Sequence, residues 1–123
     1  MATVFTNIGK AYVAAKLDGS IVTTLNRVGW GTGAGTAGPT DTTLFTEAAE
    51  TRATATLSHL TTTTANDTFQ AIGTLTSLSG QTITNAGVFD AASAGNLAVK
   101  ADHTGLPLLA NDSIQYTFQL KFA

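Results

Sequence analysis

Gly33-Ala34-Gly35-Thr36-Ala37-Gly38 matches G-x-G-x-x-G, the spacing with which a loop cradles a dinucleotide pyrophosphate. That chemistry needs the glycines to open a long helix inside a parallel βαβ unit, with the helix N-terminus meeting the phosphates. Here Gly38 is followed by Pro39, Thr40 and Asp41, and no βαβ pattern surrounds the run. The other common phosphate loop needs Gly-Lys-Ser/Thr, and no lysine lies near. The run therefore reads as a glycine-rich loop, 31–41, whose backbone lies close against other protein.

The remaining chemical candidates are few. His59 and His103, the latter beside Asp102, are metal-ligating types, but no close-spaced ligand motif joins them. They read as structural histidines, and no metal or other cofactor is expected. Ser58 and His59 are neighbours, which in a strand places them on opposite faces. There is no G-x-S-x-G elbow and no cysteine nucleophile, so no catalytic residue is expected. Asp41, Glu47 and Glu50 would allow a carboxylate pair; charges at a helix end are the simpler reading. Glu47 and Arg52 flank the turn into the following β region. They are expected to form a partly buried ion pair with a structural role.

Composition narrows the partners. Only 11% of the 123 residues are charged, against roughly a quarter in ordinary domains. Threonine is abundant, in runs such as Thr61 to Thr64, and suits a pleated strand that meets water without charge. Such a surface serves a lone chain poorly and a covered subunit well, because interface cores are depleted in charge. The six basic residues are scattered over a chain of net charge −2, which argues against nucleic acid. No apolar stretch approaches the ~20 residues of a membrane span. The N-terminus has no basic region followed by an apolar run, so no secretory signal is expected. The absence of cysteine leaves the redox compartment open.

The length suits a single domain. In Asn7 to Leu17, Ile8, Tyr12, Val13 and Leu17 recur at helical spacing. Thr6 or Asn7 would cap the start and Gly19 follows the end, giving an N-terminal helix or arm over 1–19. Asp18-Gly19 is also a turn signal, which keeps a strand pair open there. Ile21 to Trp30 reads as a strand, and Thr43 to Thr51 as holding a helical turn. From 52 to 122 the period is two. Ala53, Ala55, Leu57 and His59 share the apolar face of one strand, and Phe69, Ala71 and Leu75 that of the next. Further strands follow around Gly87, which signals a bulge or close approach, and over Asn96 to His103. Leu106 to Leu109 reads as a crossover, and Asn111-Asp112 as a turn. Last, Ile114, Tyr116, Phe118, Leu120 and Phe122 alternate strictly with Gln115, Thr117, Gln119 and Lys121. The expected fold is mainly β: an antiparallel β-sandwich or barrel-like domain with a short N-terminal helix.

Several segments together carry a resemblance. They are Asn7-Ile8-Gly9, Gly31-Thr32-Gly33, Leu44 to Arg52, Asn66-Asp67-Thr68, Asn85 to Phe89 and Asn111 to Gln115. Over nearly its full length the chain resembles a family of small virion structural proteins of tailed bacteriophages. Asn85 departs from the acidic residue of that pattern, and Asn111 from its glycine. The resemblance implies a virion protein of the capsid surface: a decoration, or cement, protein that clamps neighbouring major capsid subunits, with copies of itself as further partners. The alternative is a tail or tail-fibre component, an adhesin that would use an exposed aromatic such as Trp30, although Trp30 suits an interior equally. For partner contact the candidates are Ala2, Thr3, Val4 and Phe5 of the arm, and Gly31, Thr32, Gly33, Ala34, Gly35 and Thr36 of the loop.

Overall fold

A computed structural model describes residues 1–122. The chain runs β1 (Thr3–Phe5), α1 (Asn7–Leu17), β2 (Arg27–Gly31), β3 (Ala53–Thr54), β4 (Thr56–Leu60), β5 (Thr68–Thr76), β6 (Gln81–Phe89), β7 (Leu97–Leu108) and β8 (Ser113–Lys121). Two antiparallel sheets pack face to face. One has the order β1-β7-β6-β2-β3, the other β4-β5-β8. Among the described residues the strands do not close into a barrel, so the sandwich alternative is the observed one.

The helix forms for local reasons. Thr6 is fully buried and its hydroxyl oxygen accepts the Gly9 N–H at 2.9 Å, capping the first turn. The same hydroxyl donates to the Leu97 carbonyl at 2.6 Å, which fixes the helix start to β7. Gly19, at φ 83°, ends the element. Tyr12 is buried and donates to the Thr23 carbonyl at 2.6 Å. Leu17, expected on the same apolar stripe, is 85% exposed, because the helix covers only the end of the sandwich.

The core lies between the sheets. Val28, Trp30, Ala86, Val88 and Val99 face Ala71, Leu75 and Phe118, and Tyr12 and Leu25 close one end. Gly73 sets the spacing. A Cβ there would lie 2.8 Å from both Val28 Cβ and Cγ2, so two backbones approach where two side chains would collide. Gly73→Ala is therefore expected to cost about 1–3 kcal/mol by overpacking. Adding Val28→Ala should recover part of that loss, so urea titrations of the double variant should show less destabilisation than the two singles summed.

Three expected elements differ. The strand expected over Ile21 to Trp30 is regular only from Arg27 to Gly31, because the preceding residues wrap the helix end and make no sheet ladder. Thr43 to Thr51 holds no helical turn. It makes a tight turn at Phe45-Thr46, with Thr46 at φ 45°, and then a single bridge from Glu47 to Gly31. Leu106-Pro107-Leu108 does not cross over; it extends β7 and pairs with Gln81 to Ile83. At Asn111 φ is 74°, a left-handed position that asparagine tolerates.

Candidate functional site

The outer face of the five-stranded sheet is covered by the chain's own excursion between β2 and β3. Small residues make the cover possible. A Cβ on Gly31 would strike the Phe45 carbonyl, and one on Gly87 would strike Leu97 and the Val99 carbonyl. Beneath the cover Leu44, Phe89 and Leu97 form a second small core. Asn85 is fully buried and behaves like an extra peptide: its Oδ1 accepts the Phe45 N–H at 3.0 Å and its Nδ2 donates to the Phe45 carbonyl at 3.1 Å. A carboxylate at this position would lack that donor.

Two buried cations pin the cover. Arg52 donates through Nε to Glu47 Oε2 at 2.7 Å and through Nη2 to Glu47 Oε1 at 2.9 Å. Its Nη1 donates to the carbonyls of Ala91 and Ala94 at 2.9 and 2.8 Å, and its guanidinium lies 3.4 Å over the Phe89 ring. Lys100, 1% exposed, donates to Asp41 Oδ2 at 3.0 Å and to the Thr43 carbonyl at 2.8 Å, with Nζ 3.3 Å over the Phe45 ring. Each cation thus has one carboxylate, at least one carbonyl and one phenylalanine face.

The glycine run is part of this cover, and its first residues lie against protein. Thr32 N–H bonds the Thr46 carbonyl and Gly33 N–H the Phe45 carbonyl, at 2.9 and 3.1 Å. Among the described residues no helix follows the run, and the Ala37 and Gly38 N–H groups are taken by Asp102 and Asp41 at 2.7 and 3.0 Å. Of the loop candidates, Gly31 is buried, Thr32 and Gly33 are half-buried, and Ala34, Gly35 and Thr36 are exposed. Of the arm candidates only Thr3 is exposed; Ala2, Val4 and Phe5 are half-buried, and β1 pairs with β7.

Asp102 brings arm and loop together. It accepts the Ala2 N–H at 3.1 Å and the Ala37 N–H at 2.7 Å, and nearby Asn7 N–H bonds the Pro39 carbonyl at 2.8 Å. His103, next to it, points the other way and bonds the Tyr116 hydroxyl through Nε2 at 2.8 Å, bridging the two sheets. Burial holds the Tyr116 phenol above its usual range. His59, expected on an apolar face, is exposed, because that face of β4 runs out past the edge of the covering sheet. Among the described residues no three His, Asp or Glu side chains converge on a metal-sized site.

The carboxylates are tuned by the structure they hold. The Ala37 N–H, against some desolvation and with help from the Ala2 N–H, holds Asp102 below the ordinary carboxylate range. The Gly38 N–H and the Lys100 ammonium do the same for Asp41, again against desolvation. Burial would raise Glu50, but bonds from the Leu78 N–H, the Trp30 indole and Gln81 outweigh it and the net shift is downward. A folded-state pKa below the unfolded one contributes stability above the unfolded value and loses it as pH falls through the folded one. The melting temperature should therefore fall as pH drops below about 4. Asp102→Asn should flatten that acid limb in thermal scans; a melting temperature that rises on acidification would contradict the assignment.

The three-stranded sheet presents a different surface. Its inner face is apolar; its outer face presents Thr56, Ser58, Leu60, Gln70, Ile72, Thr74, Thr76, Ser113, Gln115, Thr117, Gln119 and Lys121, while Thr68 on the same face is buried beneath Thr62 and Asp67. Lys121 is the single charge among these strand residues, and the Asp67 carboxylate lies at one end of the face, where it accepts from the Thr68 hydroxyl at 3.0 Å. At one end, Tyr12, Val13 and Leu17 of α1 and Phe69, Leu120 and Phe122 line an apolar cleft of about 270 Å³. Lys100 escaped notice in the sequence, and Asp102 and Asn85 were in view there without these roles. The available signal was a lysine placed between Val99 and Ala101 in an apolar strand of a charge-poor chain. Comparison with protein families, with curated proteins and with solved structures returns no match to the chain.

Proposed function

We propose that this chain is a structural subunit of a tailed-phage particle: a capsid decoration protein that lies on the outer surface of the head and clamps neighbouring major capsid subunits. The observation that carries the reading is the outer face of the three-stranded sheet, broad and with one charged residue, Lys121, in its strands. A face of threonine, serine and glutamine loses little by desolvation and offers hydrogen bonds at strand spacing, which suits a covered contact. Repeated over a symmetric shell, many weak contacts would hold the particle by multivalency. The exposed tip Ala34 to Thr36 and Thr3 lie near one another through Asp102 and would supply a second contact. The tail-adhesin alternative is less favoured because Trp30, its candidate aromatic, is 1% exposed and bonds Glu50 at 2.9 Å.

Two measurements test the reading. Quantified against the major capsid protein in purified virions, the chain is expected at a ratio above about one to ten; a few copies per particle would place it in the tail. Thr74→Glu with Gln70→Glu should leave the fold intact and abolish binding to capsid shells. Unchanged binding by this variant would remove the sheet face from the proposal.

A further inference from the structure

The three-stranded sheet has two edges, the short β4 and the nine-residue β8, and β8 is the longer. Its nine residues pair with β5 in unbroken register, and among the described residues no hydrogen bond reaches its backbone from the other side. The bonds just beyond the ladder, Phe122 N–H to the Asp67 carbonyl and Ser77 N–H to the Asp112 carbonyl, fix its parity. Even-numbered residues turn their N–H and C=O groups to β5. Ser113, Gln115, Thr117, Gln119 and Lys121 turn theirs outward, and all five are exposed. Apart from Lys121 at its end, β8 carries none of the devices that blunt such edges: it has no proline, no bulge and no inward-pointing charge. β7, which runs on past β1, carries Pro107 in its open half.

Read outward from Thr117, the strand is close to a palindrome. Tyr116 mirrors Phe118, Gln115 mirrors Gln119, and Ile114 mirrors Leu120. We propose that β8 pairs antiparallel with β8 of a second copy about a two-fold axis through Thr117, joining the two three-stranded sheets into one. Aromatic then meets aromatic, glutamine meets glutamine, and Lys121 falls opposite Ser113, so no like charges face each other. Parity excludes an axis between two residues, which would set outward groups against groups already turned to β5. Among the axes through a residue, only the one at Thr117 pairs all nine residues of the strand; any other leaves strand ends unpaired. The inward Tyr116 and Phe118 of the second copy would extend the sheet over the groove of about 240 Å³ between β1, β7 and β8, which Met1, Thr3, Ala101 and His103 line. This pairing stands apart from the virion reading: a dimer that never meets a capsid would leave it intact.

The chain has no cysteine, so single cysteines report register directly. Across the axis Thr117 Cα meets its copy at about 5.5 Å, within disulfide reach. Thr117→Cys is expected to form a covalent dimer under mild oxidation. Gln115→Cys alone should not, because its copy lies roughly 13 Å along the strand. Gln115→Cys mixed with Gln119→Cys should cross-link. Without cysteines the protein should sediment at twice the 12.6 kDa chain mass, and Thr117→Lys should weaken that dimer by at least about tenfold while leaving the circular dichroism unchanged. Mixing Thr117→Lys with Thr117→Asp should restore a dimer. A chain still monomeric at about 1 mM, or Thr117→Cys cross-linking no faster than Gln115→Cys, would overturn the proposal.

Discussion

Arg52→Met is expected to destabilise the fold by about 3 kcal/mol, read as a lower urea midpoint at unchanged m-value. Methionine keeps much of the apolar contact over Phe89, so the loss isolates the polar bonds. The Arg52 side chain is 5% exposed, and its Nη1 serves the carbonyls of Ala91 and Ala94 together. Those acceptors lose their donor. Glu47, whose side chain is 34% exposed, can turn to water and recovers part of its solvation, which keeps the loss below that of a fully buried pair. Glu47→Gln should accordingly cost less than Arg52→Met. Arg52→Lys should not rescue, since one ammonium cannot span a carboxylate fork and two carbonyls while lying flat on a ring. A loss under about 1 kcal/mol for Arg52→Met would mean that the junction is held by its backbone alone.

Where local rules decide, the sequence could be read. The cap at Thr6, the glycine after α1 and the alternation of β8 each need only neighbours in the chain, and each stands where the pattern put it. The pairing of Glu47 with Arg52 spans five residues and was likewise in view. The excursion from Thr32 to Thr51 obeys other constraints. Its turn at Phe45-Thr46 is set by Asn85, forty residues away, and Thr46 accepts a positive φ to keep those bonds. No propensity reports that. The close approach signalled at Gly87 and in the loop from Gly31 was legible, but not its partner: with Gly29 these glycines form a bare strip onto which the excursion folds. Leu17 and His59 failed for a shared reason: periodicity tells which face of an element is apolar, not whether another layer reaches far enough to cover it. Lys100 was hardest to foresee, because its partners Asp41 and Thr43 lie almost sixty residues upstream.

Lys100→Met should be the costliest of these substitutions, at about 3–5 kcal/mol. Lys100 lies near the start of β7 at 1% exposure, against an Asp41 side chain at 24%. Removing it leaves the Thr43 carbonyl without its donor and Asp41 with only the Gly38 N–H. The coupling is the sharper test. Asp41→Asn in the parent leaves a buried ammonium with only neutral partners, one carbonyl and one ring. In the Lys100→Met background the same change removes a carboxylate that has already lost its cation. Asp41→Asn should therefore cost at least about 1 kcal/mol less in that background, by a double-mutant cycle in urea. The consequence should also be local. With the Asp41 anchor gone, the segment from Thr32 to Thr51 opens without the sandwich unfolding, and limited proteolysis should cut there first while β5 to β8 stay protected. If cleavage instead tracks global unfolding, the cover and the sandwich are one cooperative unit, and Lys100 stabilises the whole rather than the lid on its outer face.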